Sequence, residues 1–247
     1  MIKNLRTTLV EICHTVADRG YVSATDGNIS ARLPGGTILI TRSSLNKGMV
    51  TIDDLVEVDK NGNVIQGAGR SSTELDMHLY IYEERPEIHA VVHAHPVHAT
   101  AFAVAGQSIE ECVFPEVVLG FGGIPLASYA TPSTREVRES LAPFIHSHDA
   151  ILLANHGVVT YGTDPWDAFF KMEKVEQTAH ILFVARLLGG ERILTSDAIE
   201  KLRAISKEHY GIGLNSRSFP APAQHNRMYT EEEIRSIIRK VIDRLNE

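Results

Sequence analysis

The stretch HAVVHAHPVHAT, residues 89–100, places four histidines in a run whose other residues have the apolar character of a buried β-strand. Side chains in a strand alternate between its two faces, so His93 and His95 point to one side and Ala94 to the other. Two imidazoles separated by one residue can both reach a single cation. Pro96 follows at once and ends the strand, which leaves the pair at an edge. The pattern predicts a metal site, with core or capping histidines as the alternative.

A third ligand is expected at His156, which closes the apolar run ILLAN at residues 151–155. The carboxyl ends of strands are where α/β folds tend to place their chemistry. His98 fits less well because it falls on a predicted helix, and His146 and His148 lie in a polar connection. We therefore expect His93, His95 and His156 to form the ligand set.

The acid expected beside these histidines is Glu74, in the segment SSTELDMH at residues 71–78. A serine or threonine N-cap predicts that a helix begins here with Glu74 in its first turn, where free N–H groups and the positive end of the helix dipole attract anions. His78 follows four residues later on the same face, and it either supports the site or is an ordinary half-buried helix residue. The candidate phosphate-binding residues at this helix start are Ser71, Ser72 and Thr73.

Two further turns made of small polar residues follow predicted strand positions. One contains Gly27 and Asn28, and the other contains Ser43 and Ser44. Each turn taken alone has the composition of an ordinary loop. Together with the serines before Glu74, they predict a pocket for an anionic group.

Outside these motifs, the hydrophobic periodicity predicts a single α/β domain. One helix is predicted from the serines before Glu74 to the residues before Pro86. The clearest predicted loop spans residues 211–229. The other predicted helices span residues 2–19, 97–105, 134–144, 164–188, 196–207 and 230–246. The predicted strands span residues 29–33, 37–41, 55–59, 64–66, 89–94, 125–127, 150–154 and 158–161.

Composition excludes several classes of protein. The 247 residues include 24 basic and 31 acidic side chains, for a net charge of −7, which disfavours nucleic-acid and anionic-membrane partners. The two cysteines, Cys13 and Cys112, are far apart, as expected in a reducing compartment. No signal peptide or stretch long enough to span a bilayer is evident. We expect a soluble protein of the cytoplasm.

The motifs together resemble the class II aldolase/adducin family, and within it the sugar-phosphate aldolase branch typified by L-fuculose-phosphate aldolase. The resemblance covers roughly residues 3–215, through GNIS, ITRSS, SSTELDMH, VVHAHPVHAT, SYAT and NHG. It implies a single-domain, three-layer α/β/α fold with a central, mainly antiparallel sheet. Residues 1–215 would form the catalytic domain, and residues 216–247 would be a C-terminal loop and helix packing on this domain or on a neighbouring subunit.

The resemblance also assigns roles to the candidate residues. It implies that His93, His95 and His156 bind Zn²⁺, with Mn²⁺ or Co²⁺ as alternatives, and that Glu74 is the catalytic acid/base and a fourth ligand in the resting state. Glu116 occupies a place where the aldolase branch has tyrosine and related branches have a catalytic glutamate; the alternative is a surface carboxylate. Tyr210 resembles a tyrosine that reaches a neighbouring subunit's site. The phosphate-binding residues implied are Gly27, Asn28, Ser43, Ser44, Ser71, Ser72 and Thr73.

The activity implied is reversible cleavage of a ketose 1-phosphate to dihydroxyacetone phosphate and a small aldehyde. The substrate would be L-fuculose 1-phosphate or a 5-deoxy- or 5-methylthio-ribulose 1-phosphate, and the enzyme would be a homotetramer with sites between subunits. A dehydratase, 4-epimerase or decarboxylase of a related sugar phosphate is the alternative that keeps the same metal site. A non-catalytic, adducin-like scaffold is the alternative outside enzymes, although such relatives lack the metal histidines.

Overall fold

The computed structural model describes residues 2–111, 113–120 and 122–210, in which an eight-stranded sheet carries helices on both faces. The strands are β1 (Asn28–Arg32), β2 (Ile38–Thr41), β3 (Leu55–Val58), β4 (Val64–Gln66), β5 (Ala90–Ala94), β6 (Leu126–Ala127), β7 (Ala150–Leu153) and β8 (Gly157–Gly162). The helices are α1 (Ile2–Asp18), α2 (Leu75–Glu84), α3 (Val97–Val104), α4 (Pro115–Gly120), α5 (Glu136–Leu141), α6 (Pro165–Leu187) and α7 (Ser196–Tyr210). Two 3-10 turns, Lys47–Met49 and Ile52–Asp54, precede β3.

The sheet has the order β4-β3-β2-β1-β5-β8-β7-β6. Its neighbouring strands are antiparallel except for the parallel pair β6 and β7. The face that carries Val92 and Ala94 packs against α1, α3, α4 and α6, whereas the face that carries Val91 packs against α2 and α5. This alternation puts one hydrophobic layer on each side of the sheet. The predicted three-layer α/β/α fold with a mainly antiparallel sheet is confirmed.

Most predicted elements form close to their predicted bounds, but the start of α2 was predicted wrongly. Glu74 occupies the N-cap position of this helix, and the helix begins at Leu75. The sequence prediction also missed α4, which Pro115 begins and which buries Val117 in the core. The predicted loop 211–229, the helix 230–246 and the boundary at residue 215 lie outside the described residues.

Antiparallel pairing brings the predicted motifs to one edge of the sheet. Strand β1 begins where β5 ends, so Asn28 is paired with His93. Strand β8 also begins where β5 ends, with Ala94 opposite Val158, which carries His156 to the same place. The motifs that lie far apart in sequence therefore meet because strand starts and strand ends alternate along this edge.

Glycine is required at one position of this edge for steric reasons. A Cβ atom at Gly157 would lie 2.5 Å from Cδ2 of His95 and 2.7 Å from the Ala94 carbonyl oxygen. A side chain at this position would therefore push the His95 ring away from its neighbours.

Of the helices described, none is both long enough and apolar enough to cross a membrane.

Candidate active site

Three imidazoles converge at the sheet edge. The ring centroids of His93 and His156 lie 4.7 Å apart, those of His93 and His95 5.0 Å apart, and those of His95 and His156 5.1 Å apart. One potential ligand atom from each ring lies within 4.8 Å of the other two. The strand β5 ends at Ala94, as predicted, and His95, which follows it, turns its ring toward His93.

The nitrogen positions fit a divalent cation. His93 donates from Nδ1 to the Val158 carbonyl oxygen at 2.9 Å, so the neutral ring presents a lone pair on Nε2. The Nε2 atoms of His93 and His95 are 3.2 Å apart. Two nitrogens bound to one tetrahedral zinc ion are about 3.3 Å apart, given the usual zinc–nitrogen bond length. The His93 and His95 nitrogens therefore already have the separation that one bound metal ion requires, and a ligand atom of His156 lies within 4.8 Å of both rings' ligand atoms.

Glu74 faces the same three rings. Its Oε2 lies 3.3 Å from Nε2 of His93, and its Oε1 lies 3.3 Å from Nε2 of His156. Burial by itself raises the pKa of this carboxyl, but the His93 and His156 imidazoles and a hydrogen bond from Asn28 outweigh burial and hold the pKa well below its usual range. Glu74 is therefore an anion at the centre of the site.

The pKa values of the three histidines shift in different directions. Burial lowers the pKa of His93, but the adjacent Glu74 carboxylate outweighs burial and raises it. Burial and the charge of His93 lower the pKa of His95 to about 4, and the same causes lower that of His156 to about 4. The site thus favours a single positive charge between Glu74 and the rings, which a bound cation would supply.

A chain of buried hydrogen bonds holds Glu74 from behind. Asn28 donates from Nδ2 to Oε2 of Glu74 at 2.8 Å and accepts at Oδ1 from Nε2 of His78 at 2.5 Å. Ser30 lies 2.6 Å from Nδ1 of His78 and 2.8 Å from the Tyr82 hydroxyl.

The partners determine which group donates and which accepts in each of these hydrogen bonds. Burial lowers the pKa of His78 to about 3, so its ring is neutral. An amide oxygen only accepts, so Nε2 of His78 carries the proton and Nδ1 accepts from Ser30. Ser30 in turn accepts from Tyr82. His78 thus supports the site, which is one of the two roles considered from the sequence.

Most of the predicted phosphate-binding residues line one cleft of about 290 Å³ next to the histidines. Asn28 also lines it, although its side chain is engaged with Glu74 and His78. Ser71 does not line the cleft; its backbone instead forms a bridge with that of Arg42. The predicted residues brought together here are Gly27, Asn28, Ser43, Ser44, Ser72, Thr73, Glu74, His95 and His156.

Backbone strain is concentrated around this cleft. Among the described residues other than glycine, those with positive φ are Ala24, Ser44, Ser133 and Asn155. Ser44 and Ser133 line the cleft, Asn155 precedes His156, and Ala24 precedes the lining residue Thr25. Strained residues of this kind persist where the surrounding structure holds them, and they cluster at functional sites.

Two predicted catalytic residues are not part of the described cleft. Glu116 is exposed in the first turn of α4 and does not line it. Tyr210 is the last residue of α7, and its side chain lies outside the described part of the chain. Their roles remain predictions.

The sequence predictions missed three charged residues that line the cleft: Asp26, Arg42 and Lys47. Asp26 lies 3.7 Å from Nδ1 of His95, Arg42 pairs with Asp54 at 2.7 Å, and Lys47 is buried. The available signal was their position in the sequence near the predicted phosphate-binding residues. Asp26 precedes Gly27, Arg42 precedes Ser43, and Lys47 follows Ser44 by three residues. Charged residues in polar turns normally lie in solvent, so no pattern marked them.

A three-layer fold with a histidine and glutamate centre at one sheet edge defines the class of this protein. The family model "Class II Aldolase and Adducin N-terminal domain" matches residues 7–183. The chain therefore belongs to the class II aldolase/adducin family, which confirms the family inferred from the motifs.

Particular relatives carry two different activities in their names. The chain is 36% identical over 178 residues to an L-fuculose phosphate aldolase from Methanococcus maripaludis, covering 72% of this chain and 96% of that protein. It is 32% identical over 208 residues to a 3-oxo-tetronate 4-phosphate decarboxylase from Escherichia coli, covering 82% of this chain and 96% of that protein. The solved structure of an L-fuculose 1-phosphate aldolase matches with a TM-score of 0.77 at 27% identity, covering 85% of this chain and 97% of that one.

Proposed function

We propose that this chain is a metal-dependent lyase that cleaves a ketose 1-phosphate to dihydroxyacetone phosphate and a small aldehyde. One observation carries the proposal: the Glu74 carboxylate lies 3.3 Å from both His93 and His156, beside a cleft lined with small polar groups. An acid/base residue, a set of metal ligands and an anion pocket are the parts that this reaction needs.

The metal would be held by His93, His95 and His156, with Glu74 as a further ligand in the resting state. A divalent cation supplies Lewis-acid stabilisation of the negative charge that develops on the carbonyl and hydroxyl oxygens of the substrate. We propose Zn²⁺, because neutral imidazoles are usual zinc ligands, with Mn²⁺ or Co²⁺ as alternatives. The retained ligand set also favours an enzyme over an adducin-like scaffold.

The cleft anchors the substrate through its phosphate. The N–H groups around Gly27 and Ser44 and the hydroxyls of Ser43, Ser72 and Thr73 provide neutral donors for phosphate oxygens. Binding energy from this remote group orients the bond that breaks. Water is restricted on one side, because His93 and Asn28 are buried at the base of the site.

Glu74 transfers a proton to or from C3 of the substrate. In cleavage, a base takes the C4 hydroxyl proton as the C3–C4 bond breaks, and the electron pair of that bond stays on C3 as an enediolate. Glu74, after taking up a proton from solvent, delivers that proton to C3. In condensation, the same carboxylate removes that proton from dihydroxyacetone phosphate. The low pKa of Glu74 keeps the carboxylate deprotonated at neutral pH, which is the form that removes the proton in the condensation direction.

Retro-aldol cleavage also requires a base for the C4 hydroxyl proton. We propose that a neighbouring subunit of a homotetramer supplies it, through Tyr210 or Glu116. This arrangement agrees with the exposure of Glu116 in a single chain. We place the enzyme in the cytoplasm, with a sugar phosphate and further copies of the chain as its partners.

Decarboxylation is the second candidate, and one structural feature favours it. Two carboxylates of the described cleft lie against the histidine rings, Glu74 and the exposed Asp26, and Glu116 is not among the lining residues. A 3-oxo-tetronate 4-phosphate that loses carbon dioxide leaves the same enediolate, and proton delivery gives the same dihydroxyacetone phosphate. This reaction needs no base for a hydroxyl proton because the leaving carboxylate is already ionised.

An experiment that separates the aldolase from the decarboxylase must measure the product other than dihydroxyacetone phosphate, which is an aldehyde in one reaction and carbon dioxide in the other. The metal-loaded enzyme is incubated with L-fuculose 1-phosphate, with 5-deoxy- and 5-methylthio-ribulose 1-phosphates, and with 3-oxo-tetronate 4-phosphate. Dihydroxyacetone phosphate is expected from either reaction. Release of an aldehyde from a ketose 1-phosphate supports the aldolase, and release of carbon dioxide without any aldehyde supports the decarboxylase. Failure to produce dihydroxyacetone phosphate from any of them would contradict both.

A further inference from the structure

Lys47 is a lysine buried at the wall of the cleft. Only 2% of its surface is exposed, yet it is one of the lining residues. Its Nζ donates to the Leu45 carbonyl oxygen at 2.7 Å and to that of Thr25 at 3.1 Å. An ammonium group has three N–H donors, so these two bonds leave one for a ligand. The two carbonyls belong to the loops that carry Ser44 and Gly27.

Lys47 has no direct ion-pair partner among the described residues. The nearest charge that acts on it from a carboxylate is that of Asp26, which lines the same cleft without forming an ion pair with Lys47, whereas Arg42, the other cation lining the cleft, pairs with Asp54 at 2.7 Å. The neighbouring thiol of Cys13 cannot replace a carboxylate, because burial raises its pKa to about 12 and keeps it neutral. A buried charge without a direct ion pair is costly, and burial accordingly lowers the pKa of Lys47, so a ligand that brings a negative charge to the cleft would stabilise its ammonium form.

We propose that Lys47 binds the phosphate group of the substrate and that this phosphate is its missing counter-ion. The inference deepens the proposed function, on which it rests, by naming the residue that makes the cleft selective for a phosphorylated sugar. The other predicted phosphate-binding groups are neutral hydroxyls, amides and backbone N–H groups. On a chain with a net charge of −7, a local cation such as Lys47 favours the binding of a dianion.

A structural role for Lys47, limited to joining the two loops, makes a different prediction. Loss of that role would weaken binding of every ligand of the cleft, with or without phosphate. Loss of a phosphate contact would weaken binding of phosphorylated ligands alone. Comparison of a phosphorylated ligand with its neutral counterpart therefore separates the two roles.

The test is isothermal titration calorimetry of the metal-loaded protein with inorganic phosphate, dihydroxyacetone phosphate and dihydroxyacetone. The proteins are the wild type, Lys47→Met, Lys47→Gln and the control Lys60→Met, which removes the same charge from an exposed turn. We expect the Kd for both phosphorylated probes to rise at least about tenfold in the two Lys47 variants. The Kd for dihydroxyacetone is expected to stay unchanged, and the control is expected to match the wild type.

Unchanged phosphate affinity in a folded Lys47→Gln protein, or equal losses for dihydroxyacetone and its phosphate, would overturn the proposal. If neither Lys47 variant folds, a crystal structure of the wild type with dihydroxyacetone phosphate decides. A phosphate oxygen about 2.7–3.2 Å from Nζ is expected, and a phosphate bound elsewhere would refute the assignment. Tight phosphate binding without turnover of any sugar phosphate would contradict the proposed function and leave the role of Lys47 intact.

Discussion

Asn28 donates a hydrogen bond from Nδ2 to Oε2 of Glu74 at 2.8 Å, which ties the start of β1 to the N-cap of α2. The amide oxygen of Asn28 is occupied as well, by His78. The side chain therefore holds the carboxylate in place, whereas the sequence motif placed Asn28 among the phosphate-binding residues. Its two roles predict different kinetic effects, which makes this bond a useful first target.

Replacement of Asn28 by aspartate is expected to lower kcat by about tenfold or more, because the variant loses an N–H donor to a charged acceptor and sets a second carboxylate beside Glu74. KM for the sugar phosphate should change little. Steady-state kinetics of Asn28→Asp and of Asn61→Asp, the same change in an exposed turn, provide the measurement and its control. A raised KM with unchanged kcat would instead support phosphate binding by the Asn28 side chain.

His78 is predicted to make the protein less stable in acid. The folded-state pKa, lowered by burial to about 3, lies below the unfolded value of 6.5, so the unfolded chain binds this proton first as the pH falls. The stability contribution is complete above pH 6.5 and is lost as the pH falls toward 3, at about 1.4 kcal/mol per pH unit. Urea unfolding of metal-free His78→Gln between pH 7.5 and 4.5 should show a shallower dependence than the wild type. Identical slopes would mean that His78 titrates normally.

Removal of one imidazole of the triad is expected to abolish metal binding. His93→Ala should purify with far less than one metal ion per chain, whereas the control His146→Ala, which changes an exposed histidine, should keep it. A metal at 100 times its Kd stabilises a folded protein by about 2.7 kcal/mol, so added Zn²⁺ should raise the Tm of the control alone. Full metal content in His93→Ala would exclude this ligand set.

Glu74→Gln tests the acid/base role. The glutamine keeps the size of the side chain and cannot transfer the proton, so kcat should fall by about 10²- to 10⁴-fold while metal remains bound. Elemental analysis and steady-state kinetics of this variant beside Glu200→Gln, which changes an exposed carboxylate, give the comparison. Turnover equal to that of the control would remove Glu74 from the mechanism.

The two adjacent serines before Glu74 should behave differently. Ser72 lines the cleft and Ser71 does not. Ser72→Ala is therefore expected to raise KM for the phosphorylated substrate by about tenfold, the effect of one hydrogen bond to a charged group, with Ser71→Ala close to the wild type. A larger effect from Ser71→Ala would mean that substrate binding rearranges this segment.

The sequence by itself determined the parts of this protein that depend on local pattern. Because side chains alternate along β5, those of His93 and Ala94 point to opposite faces of the sheet. The apolar run before His156 marks the end of a strand. Both follow from the two-residue period of a strand, which is visible in a few neighbouring residues. The motifs are also specific enough to identify the family from the sequence alone.

Only the tertiary structure decided which partner each polar side chain meets. The bond between Asn28 and Glu74 depends on the pairing of β1 with β5, and the burial of Lys47 depends on two loops that enclose it. Glu116, expected at the site, is exposed on α4 because Val117, and not Glu116, faces the core. These outcomes depend on contacts between distant segments, and local periodicity carries no information about such contacts.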